Sequence, residues 1–108
     1  MEIVCLDLEG VLVPEIWIKF ADSTGVDEFR MTTRDIPVYS DLMDKRLSLL
    51  EKHNFRLCDI QSVISEIEPL EGASAFLDWL RHHFQVLILS DTYYEFATPL
   101  MEKLCWPT

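Results

Sequence analysis

Asp7 and Glu9 stand two residues apart, with Gly10 directly after them and the apolar run Ile3-Val4-Cys5-Leu6 directly before them. Two carboxylates just past a buried strand can face one cavity if the chain bends there, and Gly10 permits that bend. Such a pair can hold a hard cation such as Mg²⁺, divide nucleophile and acid/base roles, or simply cap a loop. A second polar cluster, Ser90-Asp91-Thr92, ends the apolar run Val86-Leu87-Ile88-Leu89. Hydroxyls and free N–H groups at a helix start can bind phosphate, or they can form an ordinary N-cap.

The elements that position these clusters follow from periodicity. Both apolar runs are continuous rather than alternating, which predicts parallel strands covered on both faces. Ligands of open α/β sheets sit beyond the carboxyl ends of such strands, where both clusters fall. Between the runs, Ile16, Trp17, Phe20 and Ala21 predict a helix that Gly25 stops. Ser40 and Asp41 predict the start of a second helix with Met43, Leu47 and Leu50 buried and Asn54 at its end. Asp59 is expected to cap a third, with Ile60, Val63, Ile64 and Ile67 inward and Pro69 closing it. Ala73, Phe76, Leu77 and Leu80 predict a core-facing helix that feeds the second strand. A last helix carries Phe96, Leu100, Met101 and Leu104, and it either starts near Thr98 or kinks at Pro99. Two strands are few for an open sheet.

Composition narrows the function. The 108 residues are 49% hydrophobic, which suits one globular domain, and their formal charge is −10. That charge disfavours nucleic acid and anionic membrane as partners. Neither a run of roughly 20 apolar residues for a bilayer nor a signal peptide is visible, so a cytoplasmic location is expected. Cys5, Cys58 and Cys105 are odd in number and form no C-x-x-C, so they read as buried or half-buried free thiols. His53, His82 and His83 read as helix-end residues, and the adjacent pair does not share a helix face. Trp17, Trp79 and Trp106 read as packing residues, and Lys103 as a solvated helix residue.

Taken together, the clusters resemble the haloacid dehalogenase (HAD) superfamily. Asp7-Leu8-Glu9-Gly10-Val11 is similar to its first motif, D-x-D-x-[TV], and Leu87-Ile88-Leu89-Ser90-Asp91-Thr92 to its second. Pro69-Leu70-Glu71-Gly72 resembles the turn from the helical cap back to the core. Met43-Asp44-Lys45-Arg46-Leu47-Ser48-Leu49-Leu50 resembles a cap helix of phosphoserine phosphatases. The D-L-E-G and S-D-T versions are those of the phosphoserine phosphatase/homoserine phosphotransferase branch. A receiver-type phospho-acceptor domain fits less well, because a long helical insertion follows the first strand.

The resemblance implies an α/β fold: a HAD-like Rossmannoid core with a partial parallel sheet at residues 1–13 and 70–108, and a helical cap at 14–69. It implies Asp7 as nucleophile towards phosphorus and Glu9 as acid/base. It implies Mg²⁺ held by Asp7 and by Glu9 through its carbonyl. Ser90 and the Asp91 N–H would bind phosphate, Glu15 the substrate ammonium and Arg46 its carboxylate. The expected substrate is a small phosphorylated amino acid, phosphoserine first, with transfer to homoserine as a variant. The superfamily's third-motif Lys and fourth-motif acidic cluster are missing, so the chain is expected to be a truncated form. The alternative is a catalytically incomplete chain that binds or self-associates, forming a homo-oligomer through its open sheet.

Overall fold

A computed structural model describes residues 1–107. Strand β1 (Ile3–Leu6) pairs in parallel with β2 (Gln85–Ile88), placing Ile3 beside Gln85 and Leu6 beside Ile88. Between them run α1 (Ile16–Thr24), a 3₁₀ turn (Asp27–Arg30), α2 (Tyr39–Lys52), α3 (Leu57–Ser65) and α4 (Ala73–His83); α5 (Tyr94–Lys103) follows β2. The fold is thus mixed α/β, with a small parallel sheet and, among the described residues, five α-helices. None of the helices among the described residues is long and apolar enough to cross a membrane.

Local chemistry explains most boundaries. The expected stripe of α1 is buried in full, and Gly25 ends the helix at φ 77°, donating its N–H to the Ala21 carbonyl at 2.9 Å. That left-handed geometry costs glycine little. Helix α2 starts at Tyr39, one residue before the expected Ser40 cap, and no side chain caps it. Its buried face is Leu42, Met43, Arg46 and Leu49, while Leu47 is 53% exposed. The apolar stripe is therefore turned by one residue, and an arginine takes the place that leucine was expected to fill. Asn54 follows α2 in the left-handed region at φ 57°. Asp59 lies in the first turn of α3 rather than before it, where its Oδ2 accepts the Arg56 N–H at 2.7 Å. Helix α5 begins at Tyr93-Tyr94 and contains Pro99, so it starts a full turn before Thr98.

One hydrophobic cluster runs through the sheet side and the helical segment alike. Phe20 and Phe29 are fully buried in it, with ring centres 5.0 Å apart and edge-on. Trp17 bridges Phe29 at 5.8 Å to Phe96 of α5 at 6.2 Å. Each such buried side chain contributes about 1.5–3 kcal/mol.

The strands are covered on one face only, against the expectation of two. Val4, Leu6, Val86 and Ile88 pack against the helices, whereas Ile3, Cys5, Leu87 and Leu89 face outward, Leu89 at 62% exposure. The same openness leaves Phe76 (46%), Trp79 and Trp106 exposed rather than packed. All three cysteines are free, as expected, yet exposed rather than buried.

The helical segment leaves and rejoins the rest at one point. The Leu70 N–H donates to the Leu12 carbonyl at 2.8 Å. Before that point the chain coils tightly: the Leu8 carbonyl accepts from Leu12 and Val13 at 2.9 and 3.2 Å, and Gly10 N–H reaches the Val13 carbonyl at 2.7 Å. Leu8, Leu12 and Val13 are buried by this coil.

Candidate active site

The coil after β1 depends on Gly10, whose φ is 77°. A side chain there would suffer left-handed strain, and its Cβ would sit 3.4 Å from Glu15 Oε1. With Leu8 turned into the core, Asp7 and Glu9 on either side of it turn to a cavity of about 210 Å³. The walls come from four places: this coil, the N-terminal turn of α1, the Met31–Thr33 segment with α2, and the loop from β2 to α5. All six residues named from the sequence, Asp7, Glu9, Glu15, Arg46, Ser90 and Asp91, line this one cavity.

The carboxylates are held differently. Asp7 Oδ1 accepts the Leu8 N–H at 2.7 Å, which leaves Oδ2 without a partner among the described residues. Both oxygens of Glu9 are engaged: Oε1 accepts the Ile16 N–H at 2.8 Å, and Oε2 accepts the Thr92 hydroxyl at 2.5 Å. The Ile16 bond also satisfies one of the free N–H groups at the start of α1, which no side chain of its own N-cap reaches. Thr92 in turn accepts the Ser90 hydroxyl at 2.8 Å, and its N–H donates to Ser90 Oγ at 3.0 Å. The two sequence clusters are therefore hydrogen-bonded to each other across the strand ends.

Arg46 supplies the opposite charge. It is 92% buried, a rare position for a cation without a carboxylate partner. Its guanidinium stacks on Trp17 at 4.9 Å, Nη1 reaches Met43 Sδ at 3.5 Å, and Nη2 donates to the Met31 carbonyl at 3.2 Å. Nε is buried with no partner, and among the described residues Arg46 takes part in no ion pair. Burial pushes its pKa below the usual arginine value, opposed by the fields of Tyr39, Glu9 and Glu15. Tyr39 on the rim is shifted up, chiefly by burial and then by Tyr93 and Asp91. The cavity thus sets four acidic residues, Asp7, Glu9, Glu15 and Asp91, around Arg46, the one cation in its lining.

Comparison with known proteins fits this arrangement. The chain is 63% identical, over all 108 residues, to a phosphoserine phosphatase of Pseudomonas syringae pv. tomato and to the phosphoserine phosphatase ThrH of Pseudomonas aeruginosa. The similarity to these two proteins runs along the whole length of the chain. It spans 46% of the first and 53% of the second, about half the length of the curated relatives it matches. No family model matches the chain.

Some parts of the site escaped the sequence. Trp17 was expected as packing alone, yet it also carries the Arg46 guanidinium. Thr92 was noted as part of a motif, but its tie to Glu9 joins residues 83 positions apart and leaves no local signal. Lys103 lies outside the cavity, as expected, but it is not a solvated residue. Its Nζ donates to the Ser65 and Ile67 carbonyls at 2.8 and 2.5 Å and pairs with Glu68 at 3.2 Å, closing the C-terminal end of α3.

Proposed function

We propose that the chain forms the phosphate-facing and substrate-recognising part of a cytoplasmic, Mg²⁺-dependent phosphomonoesterase that acts on phosphoserine through an aspartyl phosphate. Residues 1–13 and 70–108 form its HAD-like core and residues 14–69 its cap. The observation that carries this reading is the meeting of Asp7, Glu9, Ser90 and Arg46 in one cavity. The names of the two relatives support it.

The substrate fits end to end. The Arg46 guanidinium, which lines the cavity without a carboxylate partner among the described residues, receives the carboxylate, and Glu15 receives the ammonium. The phosphoryl group then reaches the strand ends, where Ser90 and the Asp91 N–H donate to its oxygens. Three carboxylates would repel a phosphate dianion, so a cation is needed there. Asp7 Oδ1, which keeps a lone pair beside its bond from the Leu8 N–H, and the Glu9 carbonyl, unbonded among the described residues, would suit Mg²⁺, which keeps several waters. Among the described residues no three acidic, His or Cys side chains cluster to hold an ion on their own. Bound Mg²⁺ would neutralise phosphoryl charge.

Asp7 Oδ2 attacks phosphorus, and the bond from phosphorus to the serine oxygen breaks with its electron pair on that oxygen. The serine oxygen takes a proton from Glu9. Water then attacks the phosphoryl group and gives its proton to Glu9, and the bond to Asp7 breaks to release phosphate. Homoserine in place of that water would give phosphoryl transfer.

The test is phosphate release from phosphoserine with and without Mg²⁺. Asp7→Asn is expected to lower the rate at least about a thousand-fold, the scale for removing a nucleophile that works in a unit. Undiminished release by that variant rejects the assignment. A second reading, binding or self-association without turnover, is favoured by the outward Ile3, Leu87 and Leu89. An inert chain that sediments as a homo-oligomer would establish it.

A further inference from the structure

Thr92 belongs to no role assigned above, yet its hydroxyl stands between the two functional clusters. It donates to Glu9 Oε2 while accepting from Ser90, and its own N–H fixes Ser90 Oγ. We propose that Thr92 is the positioning residue that holds the Glu9 carboxylate for proton transfer, with the Ile16 N–H as the second point of a two-point clamp. The inference rests on the phosphatase reading for its catalytic part.

The argument is geometric. Glu9 carries three side-chain torsions on a half-buried side chain, and one hydrogen bond would leave its carboxylate free to swing. Two bonds on the two oxygens, from elements far apart in the chain, fix both its place and the plane of the carboxylate. The Ile16 N–H is rigid, being backbone at the first turn of α1. The Thr92 hydroxyl is the adjustable member. It reaches Oε2 from the loop after β2, 83 positions away in the chain. When Ser90 turns its hydroxyl towards a phosphoryl oxygen, Thr92 Oγ1 keeps its contact with Glu9 Oε2. Ser90 and Glu9 therefore stay in register while only the first of them changes partner.

The experiment uses the chain in hand and two readouts. The first is the Ile16 amide proton in an NMR spectrum, which reports the Glu9 carboxylate without any turnover. Thr92→Val keeps the shape and removes the hydroxyl, and it is expected to shift this resonance while leaving amides of α3 and α4 in place. Thr92→Ser is expected to restore it. The second is the rate on phosphoserine against that on an aryl phosphate, whose leaving group needs no protonation. Thr92→Val is expected to lower the phosphoserine rate about 10- to 100-fold, the range for one hydrogen bond to a charged group, and to spare formation of the aspartyl phosphate from the aryl ester. An unmoved Ile16 amide in Thr92→Val overturns the clamp. Equal losses in the rate of aspartyl-phosphate formation from both substrates, or no rescue by serine, overturn its role in proton transfer. A parent chain inert on both substrates overturns turnover by this chain and the catalytic part with it, while the Ile16 amide still decides whether Thr92 holds Glu9.

Discussion

The guanidinium carbon of Arg46 lies 4.9 Å from the centre of the Trp17 ring, inside a cavity whose remaining charges are acidic. An arginine so placed costs stability, because its Nε is buried without a partner and, among the described residues, no carboxylate pairs with it. The stacking and the bonds to Met43 and Met31 offset that cost only in part. Arg46→Met fills a similar volume without the charge. Its stability to urea is expected to stay within about 1 kcal/mol of the parent, as when buried ionic groups give way to apolar ones of like size. Phosphoserine binding, followed by calorimetry, should weaken at least about tenfold. A loss of several kcal/mol would show instead that Arg46 is there for the fold.

Tyr39 gives a pH signature. Burial, then Tyr93 and Asp91, raises its pKa above the ordinary 10.0. A raised value means the folded chain keeps the phenolic proton that the unfolded chain has already lost. Tyr39 therefore contributes stability below pH 10.0, and that contribution fades as the pH climbs from there through the folded value. Urea midpoints measured across this alkaline range should fall for the parent and fall less steeply for Tyr39→Phe. Parallel slopes would contradict the shift.

Lys103 should matter far more than an exposed helix lysine. Its ammonium closes two carbonyls at the end of α3, where a positive charge also meets the negative end of the helix dipole. Lys103→Met is expected to cost about 1–2 kcal/mol by urea unfolding, within the range of charge-assisted hydrogen bonds. Glu68→Ala should cost close to nothing, since that carboxylate is 77% exposed and surface ion pairs contribute little. Equal losses in the two variants would place the stabilisation in the ion pair instead.

Legibility in the sequence followed the range of the interactions. Asp7, Glu9, Ser90 and Asp91 could be found because each follows an apolar run that stops abruptly, and strand ends are local events. Glu15 and Arg46 came only from the resemblance, since nothing in their neighbourhood distinguishes them from surface charges. Leu47 and Phe76 were expected inside because periodicity gives the direction of a stripe but not the width of what covers it; they are 53% and 46% exposed. The two-sided burial of the strands failed for the same reason, as continuous apolar residues report a strand's character but not the presence of a second covering layer. Lys103 looked solvated because its partners, Ser65 and Ile67, lie at and just beyond the end of another helix.

The bond between the Leu12 carbonyl and the Leu70 amide has a consequence for how the chain folds. Parallel pairing of β1 with β2 demands that residues near opposite ends of the sequence find each other, and the entropy of closing so long a loop normally slows such pairing. Once α1, α2 and α3 have condensed and this bond ties their two ends, the intervening polypeptide counts as little more than a knot on a short string. The distance the strands must search is then that of α4 alone, and the sheet can zip as though most of the sequence between its strands had been spliced out.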